Sequence, residues 1–317
     1  MYFTIGGFTL DDTVFPEGNV EWAAPGGNVL YSAIGARIWA DPVGLVSLVG
    51  SDYPQSYLDR LKRYGFDLEG VRRIDHPNFH VWILHEGGGR RQIIYRLDSG
   101  INKALDPHPE DLPAPVARAR GVHICPILGV SQTKLIDYLL SRNIPTTLDL
   151  IVVPGQIDVS HGHQPALWRD LLALLPSIEE VQALFGDLCL EDLIAKMEQA
   201  SPPIFAVKMG QRGCIVRNPA DGKIYHVPAY AVEVVDATGA GDSFCGGFLA
   251  GLQESGDPIQ AALCGTVSAS FIIEGYGALH ALGVTEDQAI GRIESLRDSV
   301  RPLEDSILYE RMKMPWR

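Results

Sequence analysis

The chain predicts an α/β fold: a mainly parallel sheet covered by helices on both faces, with a small second sheet outside the main layer. Three observations carry this expectation. β-rich runs alternate with helical patterns along most of the 317 residues, as parallel strands joined by helical crossovers require. Two strand-like runs, Phe79–Glu86 and Arg91–Arg96, are split by Gly87-Gly-Gly-Arg90, a hairpin signature with extra turn length. Late in the chain a strand-like segment, Tyr230–Val235, leads through glycines into a helical run, Cys245–Leu252.

The elements follow in order. Tyr2–Phe8 is β-rich and reads as a first core strand. Val29–Trp39 has helical spacing and opens after the Pro25-Gly-Gly turn. Val43–Val49 is a buried strand candidate. Tyr53–Tyr64 is an amphipathic helix with Tyr57, Leu58 and Leu61 inward and Gly65 as its stop. Strands are expected near Gly121–Ile127, Thr146–Leu150, Pro203–Lys208 and Gly213–Arg217, with helices between or after several of them. The length suits one large domain, taken as residues 1–317.

Bulk properties exclude several classes. A net charge of −13 and a pI near 5.1 argue against nucleic-acid or anionic-membrane surfaces. No apolar stretch approaches the roughly 20 residues needed to cross a bilayer, and the start lacks a basic region followed by an apolar block. A cytoplasmic protein is expected. The five cysteines are scattered, with no C-x-x-C pair, and read as reduced thiols.

The most informative stretch is Asp236-Ala-Thr-Gly-Ala-Gly-Asp-Ser-Phe244. A chain that turns through Gly239-Ala240-Gly241 into a helix leaves backbone N–H groups without partners at the helix start. Such a place attracts anions, through those donors and the positive end of the helix dipole. Asp242 should repel a phosphate there. It makes sense as a base that takes a proton from a hydroxyl attacking a phosphoryl group held by the same donors.

The full nine-residue run closely resembles the C-terminal signature of the ribokinase-like (PfkB) carbohydrate kinases. Ala24-Pro-Gly-Gly-Asn-Val-Leu-Tyr-Ser-Ala33 resembles the N-terminal signature of the same family. Glycines admit a ligand close to the backbone, and an asparagine amide both donates to and accepts from hydroxyls. The resemblance, which runs from about Tyr2 to Leu296, implies a ribokinase-like three-layer α/β/α sandwich. Its β-sheet lid would be formed by roughly residues 10–22 and 79–97. It implies an ATP- and Mg2+-dependent kinase acting on the hydroxymethyl group of a sugar or sugar-like compound.

On this reading Asp242 is the base, and the backbone of Gly239, Ala240 and Gly241 is the anion hole. Gly27, Asn28 and an aspartate after the first strand hold the acceptor. Asp11 and Asp12 both fit the family interval, and Asp12 better keeps the apolar phase. Glu180 stands where the family has a magnesium-holding glutamate, with Ser177 in place of the usual asparagine. Lys208 and Gly210 would line the nucleotide. Asp236, with Gly277, would take part in a K+ site. Asp149 survives from a family motif whose following asparagine and arginine are missing.

Two alternatives stay open: a nucleoside kinase of the same fold, with Tyr31, Phe79 and Trp82 as a shelf for the base, and a catalytically silent regulator. A dinucleotide-dependent dehydrogenase and a P-loop kinase are disfavoured, because neither glycine motif is present. A small lid with exposed edges also predicts a homodimer.

Overall fold

A computed structural model of the chain describes residues 1–87, 90–96, 103–127, 130–150, 168–186, 189–199 and 202–303. The lid turn at 88–89, the lid end at 97, the stretch from Ile151 to Pro154 and the tail beyond 303 lie outside the described residues.

Six parallel strands form the main sheet. In chain order they are β1 (Tyr2–Ile5), β4 (Val43–Val49), β5 (Asp67–Arg73), β8 (Gly121–Ile124), β9 (Thr146–Leu148) and β10 (Ala173–Leu174). Their spatial order is β10-β9-β8-β1-β4-β5. β1 and β4 are buried along their whole length, as strands covered on two faces should be. The neighbours of β1 are β8 on one side and β4 on the other. The chain therefore winds away from β1 in both directions, and the crevice at the carboxyl ends of β1 and β8 is where an open α/β sheet takes ligands.

A second sheet, β11 (Ala206–Lys208), β12 (Cys214–Arg217), β13 (Ile224–Val227) and β14 (Arg301–Pro302), is antiparallel. It continues the first through single parallel bridges, Leu174 to Phe205 and Ser177 to Lys208.

The small sheet stands apart, in the order β3-β2-β6-β7: β2 (Thr9–Val14), β3 (Val20–Gly26), β6 (Phe79–Gly87) and β7 (Arg90–Tyr95). The hairpin of β6 and β7 is antiparallel, but β2 runs parallel to β6.

Helices α1 (Asn28–Arg37), α6 (Ala240–Ser255) and α7 (Pro258–Ile272) pack against each other unusually closely. A Cβ on Gly246 would lie 1.8 Å from the Ser32 carbonyl oxygen, so only glycine permits the α1–α6 approach. Side chains lock the contact. The Ser32 hydroxyl donates to the Asp242 carbonyl (2.9 Å), Trp39 Nε1 donates to Ser268 Oγ (2.8 Å), and Ser268 donates to the Gly35 carbonyl (3.0 Å). This packing brings the two ends of the chain that carry the sequence signatures together.

Three expectations need correction. Tyr230–Val235 is not a strand. It joins no ladder and is held by bonds such as that from the Val235 N–H to the Ile273 carbonyl (2.8 Å). Its β-branched residues raised the expectation, but no neighbouring strand offers a partner. The first strand ends at Ile5, and Thr9 already begins the small sheet. β5 was not anticipated. Its residues, Asp-Leu-Glu-Gly-Val-Arg-Arg, are too charged to read as a strand, because it is an edge strand exposed on one side.

Candidate active site

A cavity of about 360 Å³ lies between the crevice of the main sheet and the inner face of the small sheet. Its floor is the head of α6. Gly239 takes a left-handed conformation (φ 74°) as the residue before that helix, and a Cβ there would strike the Tyr31 ring. The N–H groups of Gly239 and Gly241 have no hydrogen-bond acceptor among the described residues, whereas that of Ala240 makes a long bond (3.3 Å) to the Ala237 carbonyl. The donor set is thus centred on the two glycines, with Ala240 partly engaged. Asp236 shapes the approach: its Oδ1 accepts from the Thr238 N–H (2.9 Å) and hydroxyl (2.7 Å).

Asp242, in the first turn of α6, opens into the cavity. Burial pushes its carboxyl up to about 6, the Lys208 cation opposes the shift, and the Glu180 charge adds to it. Lys208 is the lysine of this region. It does not end an exposed strand. Its side chain is only 11 % exposed, and its Nζ lies 2.5 Å from Asp149 Oδ2 and 3.3 Å from Cys245 Sγ.

Three carboxylates, Asp149, Glu180 and Asp242, influence one another around this single lysine, and all three are shifted upward, each chiefly by burial. Glu180 is pushed up to about 7. Such an excess of buried negative charge suits a divalent cation, and the oxygen donors suit magnesium. The position of Ser177 is also explained. It caps α4 (Ile178–Phe185), accepting from the Glu180 N–H, while its own N–H donates to Glu180 Oε2 (2.6 Å). One oxygen of Glu180 is therefore engaged within the helix cap.

At the opposite end, Asn28 ties two strand ends together. Its Oδ1 accepts from the Gly7 N–H (2.9 Å), and its Nδ2 donates to the Pro126 carbonyl (2.7 Å). It lines the cavity, but these bonds make it first a clamp between the chain after β1 and the chain after β8. Gly27 (φ 102°) packs on Gly7 and Phe8, where a Cβ would lie 2.2 Å from the Gly7 carbonyl.

Of the two aspartates, Asp11 faces the cavity and Asp12 does not. Strand alternation decides this. Asp11 shares its face with Thr9 and accepts from the Thr9 hydroxyl, and burial pushes it up to about 7. Asp12 points to the other face, where it accepts from the Ala23 N–H (2.9 Å) and pairs with Arg96 (2.5 Å). The preference for Asp12 is corrected accordingly. Trp82 shares the face of Asp12, under Arg96, and so is no part of a shelf, whereas Tyr31 and Phe79 line the cavity.

Gly210 (φ 56°) begins an exposed turn after β11 and lies outside the cavity lining. The Gly277 carbonyl lies 2.8 Å from His280 Nδ1.

The small sheet forms the opposite wall with Phe79, Val81, Ile83, Arg91, Ile93 and Tyr95. It touches the floor at its tip. Phe15 packs edge-on to Tyr276 (centroids 4.5 Å apart), and His85 Nε2 lies 3.9 Å from Asp236 Oδ2. Arg91 was not singled out from the sequence, and Asp11 stood there only as the alternative to Asp12. The alternation of Arg91, Ile93 and Tyr95 along β7 was a usable signal for the first.

Comparison with known proteins agrees with this fold. A profile for the pfkB family of carbohydrate kinases matches residues 12–283. A 2-dehydro-3-deoxygluconokinase of Escherichia coli strain K12 is 35 % identical over 80 % of this chain and 89 % of its own length. A cytidine kinase of Thermococcus kodakarensis is 27 % identical over 81 % of this chain and 89 % of its own. Among solved structures, one described as a ribokinase II from E. coli with ATP and Mg2+ superposes with a TM-score of 0.77 at 20 % identity, covering 93 % of this chain and 99 % of that one. The chain belongs to the pfkB family of carbohydrate kinases. It is an ATP-dependent kinase with the ribokinase fold.

Proposed function

We propose that the protein transfers the terminal phosphoryl group of ATP to a hydroxymethyl group of a sugar or sugar-like acceptor bound in the cavity. The observation that supports this most is the meeting of Asp242 with the unpaired Gly239 and Gly241 N–H groups at one end of a cavity, opposite Asp11, Gly27 and Asn28. Asp242 takes the proton of the attacking hydroxyl, and the amides of the Gly239-Ala240-Gly241 turn bind the charge that develops on the transferred group. Asp11, rather than Asp12, orients the acceptor hydroxyls with its two acceptor oxygens.

Glu180 and Asp149 would hold the magnesium ion that accompanies ATP, which neutralises charge between the terminal phosphates. Lys208 holds Asp149 in place and keeps Asp242 more acidic than burial alone would allow. Gly210 borders the nucleotide, and Asp236 and Gly277 border a monovalent cation. The small sheet serves as a lid that excludes water and limits ATP hydrolysis. Its outer face carries Trp22, 62 % exposed, with Val20 and Ile94, and this apolar face supports pairing with a second copy. In the described residues no helix is long and apolar enough to cross a membrane, and a cytoplasmic location accords with that.

One observation favours a second reading, a nucleoside as acceptor. The wall formed by Phe79, Val81, Ile83, Ile93, Tyr95, Leu105 and Ile127 is apolar and suits an unsaturated ring better than a free sugar acid. ADP release from ATP and magnesium across sugars, sugar acids, polyols and nucleosides tests both readings. Turnover with a free sugar or sugar acid supports the first, and turnover confined to nucleosides supports the second. Failure to phosphorylate any hydroxymethyl compound contradicts both.

A further inference from the structure

Arg91 stands out among the residues around the cavity. It is the only lysine or arginine among the described lining residues. Its Nε is buried without a hydrogen-bond partner, and no described carboxylate forms an ion pair with it. Arg91 is half-buried, and its Nε has given up water without gaining a partner inside the protein. Arginine's planar fork of donors suits phosphate and carboxylate oxygens, so an anionic ligand group is what completes its surroundings.

The position of Arg91 says which anion. β7 presents Arg91, Ile93 and Tyr95 to the cavity, and Arg91 is the member nearest the tip of the small sheet. In the ladder it pairs with His85, whose Nε2 approaches Asp236 at the start of the glycine turn. Its positive charge acts on Asp242 and Tyr31, at the head of α6, whereas the β7 residue in register with Asp11, through Val81, is Tyr95. Arg91 therefore overlooks the place where the phosphoryl group changes hands, and not the far end of the acceptor.

We propose that Arg91 is a catalytic residue, delivered by the small sheet, whose guanidinium binds the non-bridging oxygens of the phosphoryl group in transit. The inference rests on the kinase reading above. In that step the acceptor oxygen bonds to the terminal phosphorus of ATP while the bond from that phosphorus to the β,γ-bridging oxygen breaks. The hydroxyl proton passes to Asp242, and the electron pair of the broken bond leaves with ADP. Arg91 meets the equatorial oxygens from above as the Gly239 and Gly241 amides meet them from below. A cation carried by the lid is in place only when the lid is down, so water entering an open site is not phosphorylated.

The test is calorimetric binding of ADP and magnesium, with and without aluminium fluoride as a mimic of the phosphoryl group, to the wild type, Arg91→Met and Arg91→Lys. Arg91→Met should weaken binding of the mimic by about 100-fold or more and leave ADP alone unchanged, with Arg91→Lys between. In turnover Arg91→Met should lower kcat by about 10²–10³-fold, with both KM values within about threefold. Equal binding of the mimic by Arg91→Met and wild type overturns the proposal. So does a rise confined to the acceptor KM, which would make Arg91 an acceptor-binding group. If the wild type phosphorylates no acceptor, the kinase reading fails, while the calorimetry still decides whether Arg91 holds an anion at the head of α6. If Asp242→Asn abolishes turnover and Arg91→Met retains it, the kinase reading stands and the role of Arg91 falls.

Discussion

The floor and the roof of the cavity are built on opposite principles. The floor is the α1–α6–α7 contact, where helices touch backbone to backbone and buried serines and a tryptophan lock the register. The roof is a four-stranded sheet with solvent on its far side, and even its cavity-facing Ile93 and Tyr95 are nearly half exposed. Close packing holds a carboxylate and two amides where a fraction of an ångström matters. On the proposed reading the thin sheet opens to admit an acceptor and contributes apolar contacts and one guanidinium on closing. On that reading the base and the anion hole belong to the closely packed part, and selection belongs to the sheet above it.

The largest expected effect falls on the floor. Asp242→Asn should lower kcat by about 10²–10⁴-fold, the usual range for a positioned general base, with little change in thermal stability. Steady-state kinetics and a melting curve on one preparation check it. Next comes the packing beneath. Gly246→Ala places a methyl group against the Ser32 carbonyl and should destabilise the protein by about 1–3 kcal/mol, read by denaturant titration. A comparable alanine at Gly210, where no atom lies within 4 Å of the added Cβ, meets no such contact, though its positive φ disfavours it. The smallest effect falls on the outside of the roof. Trp22→Glu should shift the sedimenting mass from two chains to one at micromolar concentration and leave kcat within about twofold. A wild type that sediments as a single chain would remove that part of the account.

The sequence made the two ends of the cavity legible for a local reason. Each is a glycine turn into a helix start, written in consecutive residues, so the free N–H groups it leaves are set locally. What depended on distant partners was harder to read. Lys208 and Asp149 are 59 positions apart, and only the assembled sheet turns a strand-end lysine into a buried counter-ion. Asp11 and Asp12 are adjacent, and which one faces inward rests on the phase of a strand interrupted by a register shift between Asp11 and Thr13. Arg91 required the same knowledge of phase, together with the position of the small sheet above α6. Tyr230–Val235 misled because strand propensity says nothing about whether a neighbouring strand exists.

The measurement that bears most directly on the central claim is the pH dependence of kcat/KM for wild type and Asp242→Asn. A carboxylate base raised to about 6 is protonated below that pH and can no longer accept the hydroxyl proton. Asp11 and Glu180, both raised to about 7, add the same limb to either protein, so below about 6 the wild-type value should fall about tenfold per pH unit more steeply than that of the variant. An equally steep fall in both proteins would contradict the assignment of Asp242 as the base.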